Sequence, residues 1–426
     1  MAMDKPAISF EPPRGMRDFY PAEMALRNRV FDAWRRAAAL CGFQPYDACV
    51  VESLELLQRK AGEEVSEQIY AFDDKSGRHL ALRAEMTPTL ARMVAARQGS
   101  LQFPLKWSAI AQCFRYERMT RGRKREHYQW NIDVVGEASA TAEAEVLCAA
   151  TSAMRIMGMP DSAYRVHVNN RALLGELLVR QGFAEEHHAA VFLALDKRGK
   201  MPDEEIAALL RAEGLPEEGV PKVFELMSLS SLDEADAMLG GGSPAVARLR
   251  ELFSLASLYG YADRLVFDIS VIRGLSYYTG IVFEAFDTER KFRAIFGGGR
   301  YDNLLTSIGG DPTPAVGLGF GDVVVGEVLK EVLGGDAAPA RSGIVIGYMF
   351  PEQRDAAITL AARLRSEGRD VDLALAPSKP KHFFKRAGEG TALEAVFLGP
   401  DDIASGTARI KNLDTREEAA IDLPAL

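Results

Sequence analysis

The spacing of apolar residues changes several times along this chain, and the changes mark out its elements. From Pro21 to Cys41 apolar side chains recur at helical intervals (Val30, Trp34, Ala37, Cys41), with Pro21 suited to the first turn and Gly42 to the stop. The run QIYAFDDKSGRHLALR predicts a hairpin, with strands over Gln68–Phe72 and His79–Arg83 about a DDKSG turn. Thr87 is placed to cap a helix that has Pro88 at its first position. KWSAIAQCF and YQWNIDVVG predict two strands, and a helix follows over Thr141–Met157. YRVHVNNRALL (164–174) reads as a strand entering a helix. Between Leu173 and Ala256 the pattern is helical with Gly and Pro stops, which predicts an inserted helical module, because strand-like sequence resumes at RLVFDISVIRG and YYTGIVFEAFD. A boundary rich in Gly, Ala and Pro (VLGGDAAPARSG, 332–343) precedes an alternation of strands and helices. This alternation predicts a small α/β domain with a mainly parallel sheet.

Composition adds limits to this outline. A chain of 426 residues calls for two or three domains, and a hydrophobic content of 47% supplies large cores. No apolar run approaches the length of a membrane helix, and MAMDKPAISFEPPRG lacks the layout of a signal peptide, so a chain working in the cytoplasm is expected. The four cysteines (Cys41, Cys49, Cys113, Cys148) have no metal-ligand spacing and read as small buried hydrophobes in a reducing compartment. A formal net charge of -9 argues against generic coating of nucleic acid but leaves room for local basic patches.

One such patch lies between the two central strands. Arg115, Arg118, Arg121, Arg123, Lys124 and Arg125 crowd a loop that holds only one acid, Glu117. A solvated face is the ordinary explanation of a basic run. Here, however, strands bracket the run, Gly122 sits at its tip, and Gln129 and Asp133 lie four apart on one strand face. Arg115 and Glu117 are expected to share a face of the first strand. A polar sheet face capped by arginine forks suits a bound polyphosphate. Further on, Arg273 beside Gly274 opens RGLSYYTGIVFEAF, where an arginine at a strand entrance calls for an anion. FGGGRYDNLL and PAVGLGFGDVVV match no phosphate-loop pattern and imply only close backbone approach.

Together these segments resemble class II aminoacyl-tRNA synthetases, and specifically the histidyl-tRNA synthetase family. FRYERMTRGRKREHYQWNID is similar to the class II motif 2, RGLSYYTGIVFE to the family's RGLDYY signature, and GGGRYDNLL to its second histidine-specific segment. LRAEMTPTLAR, GMRDFYP and VNNRALL also match, in order, and the similarity runs over nearly the whole chain. The resemblance implies an α/β multidomain protein. Residues 1–170 and 257–331 would form a catalytic domain built on an antiparallel sheet flanked by helices, 171–256 a helical insertion, and 341–426 an α/β anticodon-binding domain. It further implies a homodimer that ligates L-histidine to a histidine tRNA through a histidyl-adenylate, with ATP as substrate and Mg²⁺ on the pyrophosphate.

The resemblance also assigns roles. Glu85 and Thr87 would hold the α-amino group of histidine, with Met86 in the pocket wall, and Gln129 and Asp133 would line the same pocket. Tyr277 and Tyr278 would meet the imidazole. Arg115 would bridge the histidine carboxylate and the α-phosphate, Glu117 would contact adenine, Arg123 the distal phosphates, and His127 would pack near the base. Arg273 would stabilise charge on the α-phosphate. Three positions depart from the family pattern: Ser276 replaces the usual Asp, Cys49 a motif 1 proline, and Val324 the motif 3 arginine near the adenine. The missing arginine favours a second reading, a non-catalytic paralogue such as the regulatory subunit of ATP phosphoribosyltransferase, which would lack the C-terminal domain. A third reading is a general RNA-binding module, which would not need a pocket of Glu85, Gln129 and Asp133 beside two tyrosines. In the C-terminal domain, Lys379, Lys381, His382, Lys385 and Arg386 are candidates for contact with a tRNA backbone.

Overall fold

The computed structural model describes residues 9–60, 67–198, 201–272, 278–334 and 341–424. Two compact units divide the chain, Met1–Asp336 and Ala337–Leu426. The first holds an eight-stranded sheet ordered β1-β5-β6-β11-β10-β9-β7-β8. In chain order the strands are β1 (Gln44–Pro45), β2 (Val51–Ser53), β3 (Ala71–Asp73), β4 (His79–Leu82), β5 (Leu105–Phe114), β6 (Glu126–Val135), β7 (Tyr164–Asn170), β8 (Leu265–Phe267), β9 (Ile281–Asp287), β10 (Phe296–Arg300) and β11 (Ala315–Gly321). The six central strands pair antiparallel, and only the short outer strands β1 and β8 run parallel to their neighbours. Strands β2, β4 and β3 make a small separate sheet. The expected antiparallel sheet flanked by helices is therefore present.

Alternation along β6 sorts the sheet into two faces. Trp130, Ile132 and Val134 enter the main apolar core with Trp34 of the Pro21–Leu40 helix and the Ala140–Ile156 helix. Trp34 lies 6.1 Å from Trp130 and 5.4 Å from Phe320, so aromatic rings fasten the first helix to the middle of the sheet. The intervening residues Gln129, Asn131 and Asp133 face the other way and build the site. The helices from Arg171–Arg180 to Pro244–Tyr259 contribute Leu174, Leu177, Val246 and Leu249 to the same apolar core as the sheet. One buried ion pair crosses the layers: Arg300 of β10 donates from Nε and Nη2 to the two carboxylate oxygens of Glu143, both at 2.6 Å.

The glycine-rich segment reads as close backbone approach in the sequence, and the structure gives the reason. FGGGR is a fully buried central strand, and a Cβ on Gly298 would stand 2.0 Å from the carbonyl oxygen of Gly317. Other expectations shift by a few residues. The first hairpin strand begins at Ala71 rather than Gln68. Thr87 is the first helical residue of Thr87–Arg97, with Met86 at the cap and no side-chain hydrogen bond closing it. β5 ends at Phe114, so Arg115 and Glu117 lie beyond the strand; the Arg115 N–H donates to the Arg125 carbonyl instead. Cys113 is buried as expected, whereas Cys49 is exposed.

The second unit has strands β12 (Ile344–Tyr348), β13 (Val371–Leu373), β14 (Glu394–Leu398), β15 (Thr407–Asn412) and β16 (Glu418–Asp422), ordered β13-β12-β14-β15-β16. The first three are parallel, as expected, and a closing antiparallel hairpin makes the sheet mixed. The expectation of a mainly parallel sheet misses this hairpin because the segments beyond Leu398 carry few apolar residues. On the Pro380–Glu389 helix Phe383 and Ala387 are buried, while Lys381, His382, Lys385 and Arg386 face solvent beside the exposed Lys379.

Candidate active site

The polar face of β6 forms the floor. Its antiparallel partner β5 sets Ala109 opposite Asn131 and Ala111 opposite Gln129, so small side chains flank the polar ones. On the other side β11 brings Gly317 against Asp133 and Gly319 against Asn131. A Cβ on Gly317 would lie 1.8 Å from Asp133 Oδ1, and one on Gly319 would lie 2.6 Å from Gln129 Nε2. The alternating glycines therefore exist to leave room for these two polar side chains. Gln129 donates from Nε2 to Asn131 Oδ1 at 3.0 Å.

Asp133 is the unusual group. It is 1% exposed, and Tyr301 donates its hydroxyl to Oδ1 at 2.6 Å. Oδ2 is buried without a hydrogen-bond partner among the described residues. Burial pushes the carboxyl up to about 7, and the Tyr301 hydrogen bond opposes that shift without cancelling it. Tyr46 lies close enough for the Asp133 charge to help burial in raising its phenol well above the usual range, and its hydroxyl also lacks a partner among the described residues. A buried carboxylate oxygen with an unmet lone pair, beside an unmet phenol, is a socket for a polar ligand that carries N–H donors.

The wall comes from the turn after β4. Arg83 is buried and donates from Nε to the Gln112 carbonyl at 2.9 Å and from Nη1 to the Ala48 carbonyl at 3.0 Å, which fixes the turn against β5. Glu85, Met86 and Thr87 follow, all buried, and Met86 packs on Ala109, Ala111 and Cys113 of the site face. Arg115 donates from Nε to the Ala84 carbonyl at 2.9 Å, so the hairpin arginine sits at the Glu85 turn. Tyr278 is buried in one cluster with Tyr301, and its ring edge would lie 2.9 Å from a Cβ on Gly299. Arg273, Ser276 and Tyr277 lie outside the described residues.

The charged hairpin closes the site at its open end. Arg123 pairs with Glu117 at 2.8 Å. His127 begins the β6 face, and burial together with the Arg115 charge pushes its imidazole down to about 3, so it is a neutral ring at working pH. Arg125 stacks on Tyr116 at 3.8 Å, while Arg118 and Lys124 point to solvent. Arg17 pairs with Glu126 at 3.2 Å and with Asp322 at 3.0 Å, and Asp322 accepts from the Tyr128 N–H at 2.9 Å. The acid of the GFGD segment thus ties the N-terminal GMRDF segment to the hairpin.

Every described residue expected in the site therefore borders one polar sheet face, its flanking turn or the hairpin above it. Tyr301, Tyr46 and Asn131 were not expected. Tyr301 stood within the quoted GGGRYDNLL, but a single tyrosine in a turn carries no period to mark it. Among the described residues no group of three or more His, Cys, Asp or Glu could hold a metal ion.

Comparison with known proteins places these features in a family. A profile described as "Histidyl-tRNA synthetase" matches residues 15–321, and one described as "Anticodon binding domain" matches 343–426. The chain is 43% identical over 422 residues to the chloroplastic/mitochondrial histidine–tRNA ligase of Arabidopsis thaliana, covering 98% of this chain and 86% of that protein. It is 36% identical over 420 residues to the histidine–tRNA ligase of Opitutus terrae, covering 97% and 96%. In fold it is similar to the crystal structure of histidyl-tRNA synthetase from Nostoc sp. PCC 7120, with a TM-score of 0.84 at 23% identity, over 98% and 97% of the two chains.

Proposed function

The chain belongs to the histidyl-tRNA synthetase family, and from that premise we propose how its site joins L-histidine to a histidine tRNA at the expense of ATP. It is an aminoacyl-tRNA ligase. In the first step the histidine carboxylate attacks the α-phosphorus of ATP, which forms histidyl-adenylate and expels pyrophosphate. In the second a ribose hydroxyl at the tRNA end attacks the acyl carbon and releases AMP. The attacking carboxylate is already ionised, so the first step needs no general base. Positioning and charge stabilisation then account for most of the rate.

The observation that most supports the site reading is the half-satisfied Asp133 on the glycine-cleared face. Its free Oδ2 accepts an N–H of the bound histidine, while Tyr301 keeps the carboxylate oriented. A substrate without that donor leaves a buried charge unmet, which discriminates far better than shape alone. Glu85 and Thr87 hold the α-amino group, Met86 and Gln129 line the pocket, and Tyr277 and Tyr278 face the imidazole. Arg115 bridges the carboxylate and the α-phosphate from its place beside Ala84, and Arg273 stabilises the charge that grows there. Glu117 contacts the adenine, Arg123 the distal phosphates, and the neutral His127 packs against the nucleotide. Mg²⁺ arrives with ATP, held by its phosphates rather than by a protein cage.

We read the working enzyme as a cytoplasmic homodimer; no described helix is long and apolar enough to cross a membrane. Residues 1–170 and 257–331 act as the catalytic domain, 171–256 as an insertion near the acceptor stem, and 341–426 as the anticodon-binding domain with its basic helix toward the tRNA backbone. The paralogue reading loses its ground, because the C-terminal match is present. Histidine-dependent exchange of pyrophosphate into ATP tests the whole proposal, and pure protein without such exchange would end it.

A further inference from the structure

Position 324, where the family carries an arginine, faces a cavity that answers the loss. Val324 lies on the first turn of the Asp322–Val332 helix and lines a space of about 210 Å³ with Arg121, Gly122, Lys291, Phe292 and Arg293. The charge absent from the helix is thus present on the opposite walls, in the hairpin tip and the turn before β10.

The tip reaches this place through two small residues. Gly122 has φ +80, and a Cβ there would lie 3.4 Å from Val324 Cγ2. A long side chain at position 324 would occupy the space into which the tip packs, so a tip arginine and a helix arginine are alternatives. Arg121 is held in a defined orientation. Its guanidinium lies 4.6 Å from the Phe292 ring centre. Its Nε is 3.9 Å from Glu327, and its Nη2 is 3.7 Å from Glu331 one helical turn on. Lys291 joins the same Glu331 at 2.8 Å. The edge of the guanidinium is therefore turned to carboxylates and one face to Phe292. The side chain nevertheless remains 65% exposed, so its other face is open.

A phosphate is bound by the N–H edge of a guanidinium, whereas a purine is bound by its flat face. Arg121 has given up its edge and kept its face. Two residues along, Arg123 pairs with Glu117, the residue read as the adenine contact. We propose that Arg121 is the stacking platform for the adenine of ATP and stands in for the arginine absent at Val324. This assignment rests on the ligase reading above and sharpens its ATP site.

The test compares Arg121→Ala and Arg121→Lys with the wild type by calorimetric binding of ATP and of inorganic tripolyphosphate. Stacking of a base on a planar side chain is worth on the order of tenfold or more in affinity. Both variants are expected to bind ATP about tenfold more weakly or worse, while tripolyphosphate binds as it does to the wild type. Lysine keeps the charge but not the plane, so it does not rescue. Unchanged ATP affinity in Arg121→Ala, rescue by Arg121→Lys, or an equal loss for tripolyphosphate each overturns the assignment. The ligase reading fails separately, if wild-type protein binds ATP but shows no histidine-dependent exchange.

Discussion

Replacing Asp133 by Asn should stabilise the ligand-free protein while weakening its grip on histidine. The carboxyl is raised from a usual value of about 4 to about 7. Between those values the native state holds a proton that the unfolded state has released. Native stability therefore falls as pH rises across this window and stays low above it. An amide has no such titration. The stabilisation conferred by Asp133→Asn at pH 8 should then exceed that at pH 5 by two pH units, at about 1.4 kcal/mol per unit, or about 3 kcal/mol. The comparison of two pH values removes the fixed cost of burying an amide N–H₂ in place of Oδ2, and the Tyr301 hydroxyl can still donate to the Asn oxygen.

Thermal or urea unfolding of ligand-free protein at the two pH values measures the difference, and pyrophosphate exchange measures the function. Loss of a charged acceptor for a substrate N–H corresponds to a rise in histidine KM of about ten- to a hundredfold, with ATP KM unchanged. A pH-independent effect on stability would refute the reasoning about burial. An unchanged histidine KM would remove Asp133 from the pocket.

Three further outcomes follow from the same geometry. Gly317→Ala puts a methyl 1.8 Å from Asp133 Oδ1, so it should cost about 3 kcal/mol in unfolding measurements and raise histidine KM, because the carboxylate must move. Glu143→Gln strands the buried Arg300 charge and should lower stability by about 3–5 kcal/mol in urea unfolding. His127→Phe keeps a flat neutral ring, so ATP KM in the exchange assay should stay within a few fold. Because the native imidazole resists protonation until about 3 while the unfolded one titrates near 6.5, wild-type stability falls with acid across that window, and the variant should gain about 3 kcal/mol more at pH 4 than at pH 8.

What was legible in the sequence was whatever has a period or a charge density. The hairpin of β5 and β6 announced itself by alternation, and the placing of Gln129 and Asp133 on one face followed from a spacing of four on a strand. The helical run after Asn170 and the strand–helix alternation after Arg341 were visible for the same reason. Pairings between distant segments were not visible. Nothing local says that Gly317 and Gly319 lie over Asp133 and Gln129, because β11 joins β6 across almost 200 residues of chain. The glycines read as generic close approach, and only the pairing shows what they make room for. Tyr301 was hidden likewise, since a hydroxyl finds its carboxylate through tertiary packing.

The basic loop shows how far charge counting carries. Six cations against one acid suggest a single anion grip, yet in the fold they divide by what each cation touches. Arg115 is spent on orienting itself at the Ala84 carbonyl, Arg123 on Glu117, and Arg125 on Tyr116. Arg121 reaches two acids on another helix, and Arg118 and Lys124 stay in solvent, where they are free to meet a polyanion. A cation whose N–H edge is already turned to carboxylates cannot serve a phosphate without giving them up, whereas a cation left in solvent can. The loop is therefore a graded device. Its inner arginines are positioned for the small substrates, its tip is latched over Val324 with one flat face open, and its outer charges remain for the larger anion that must reach the same site in the second step.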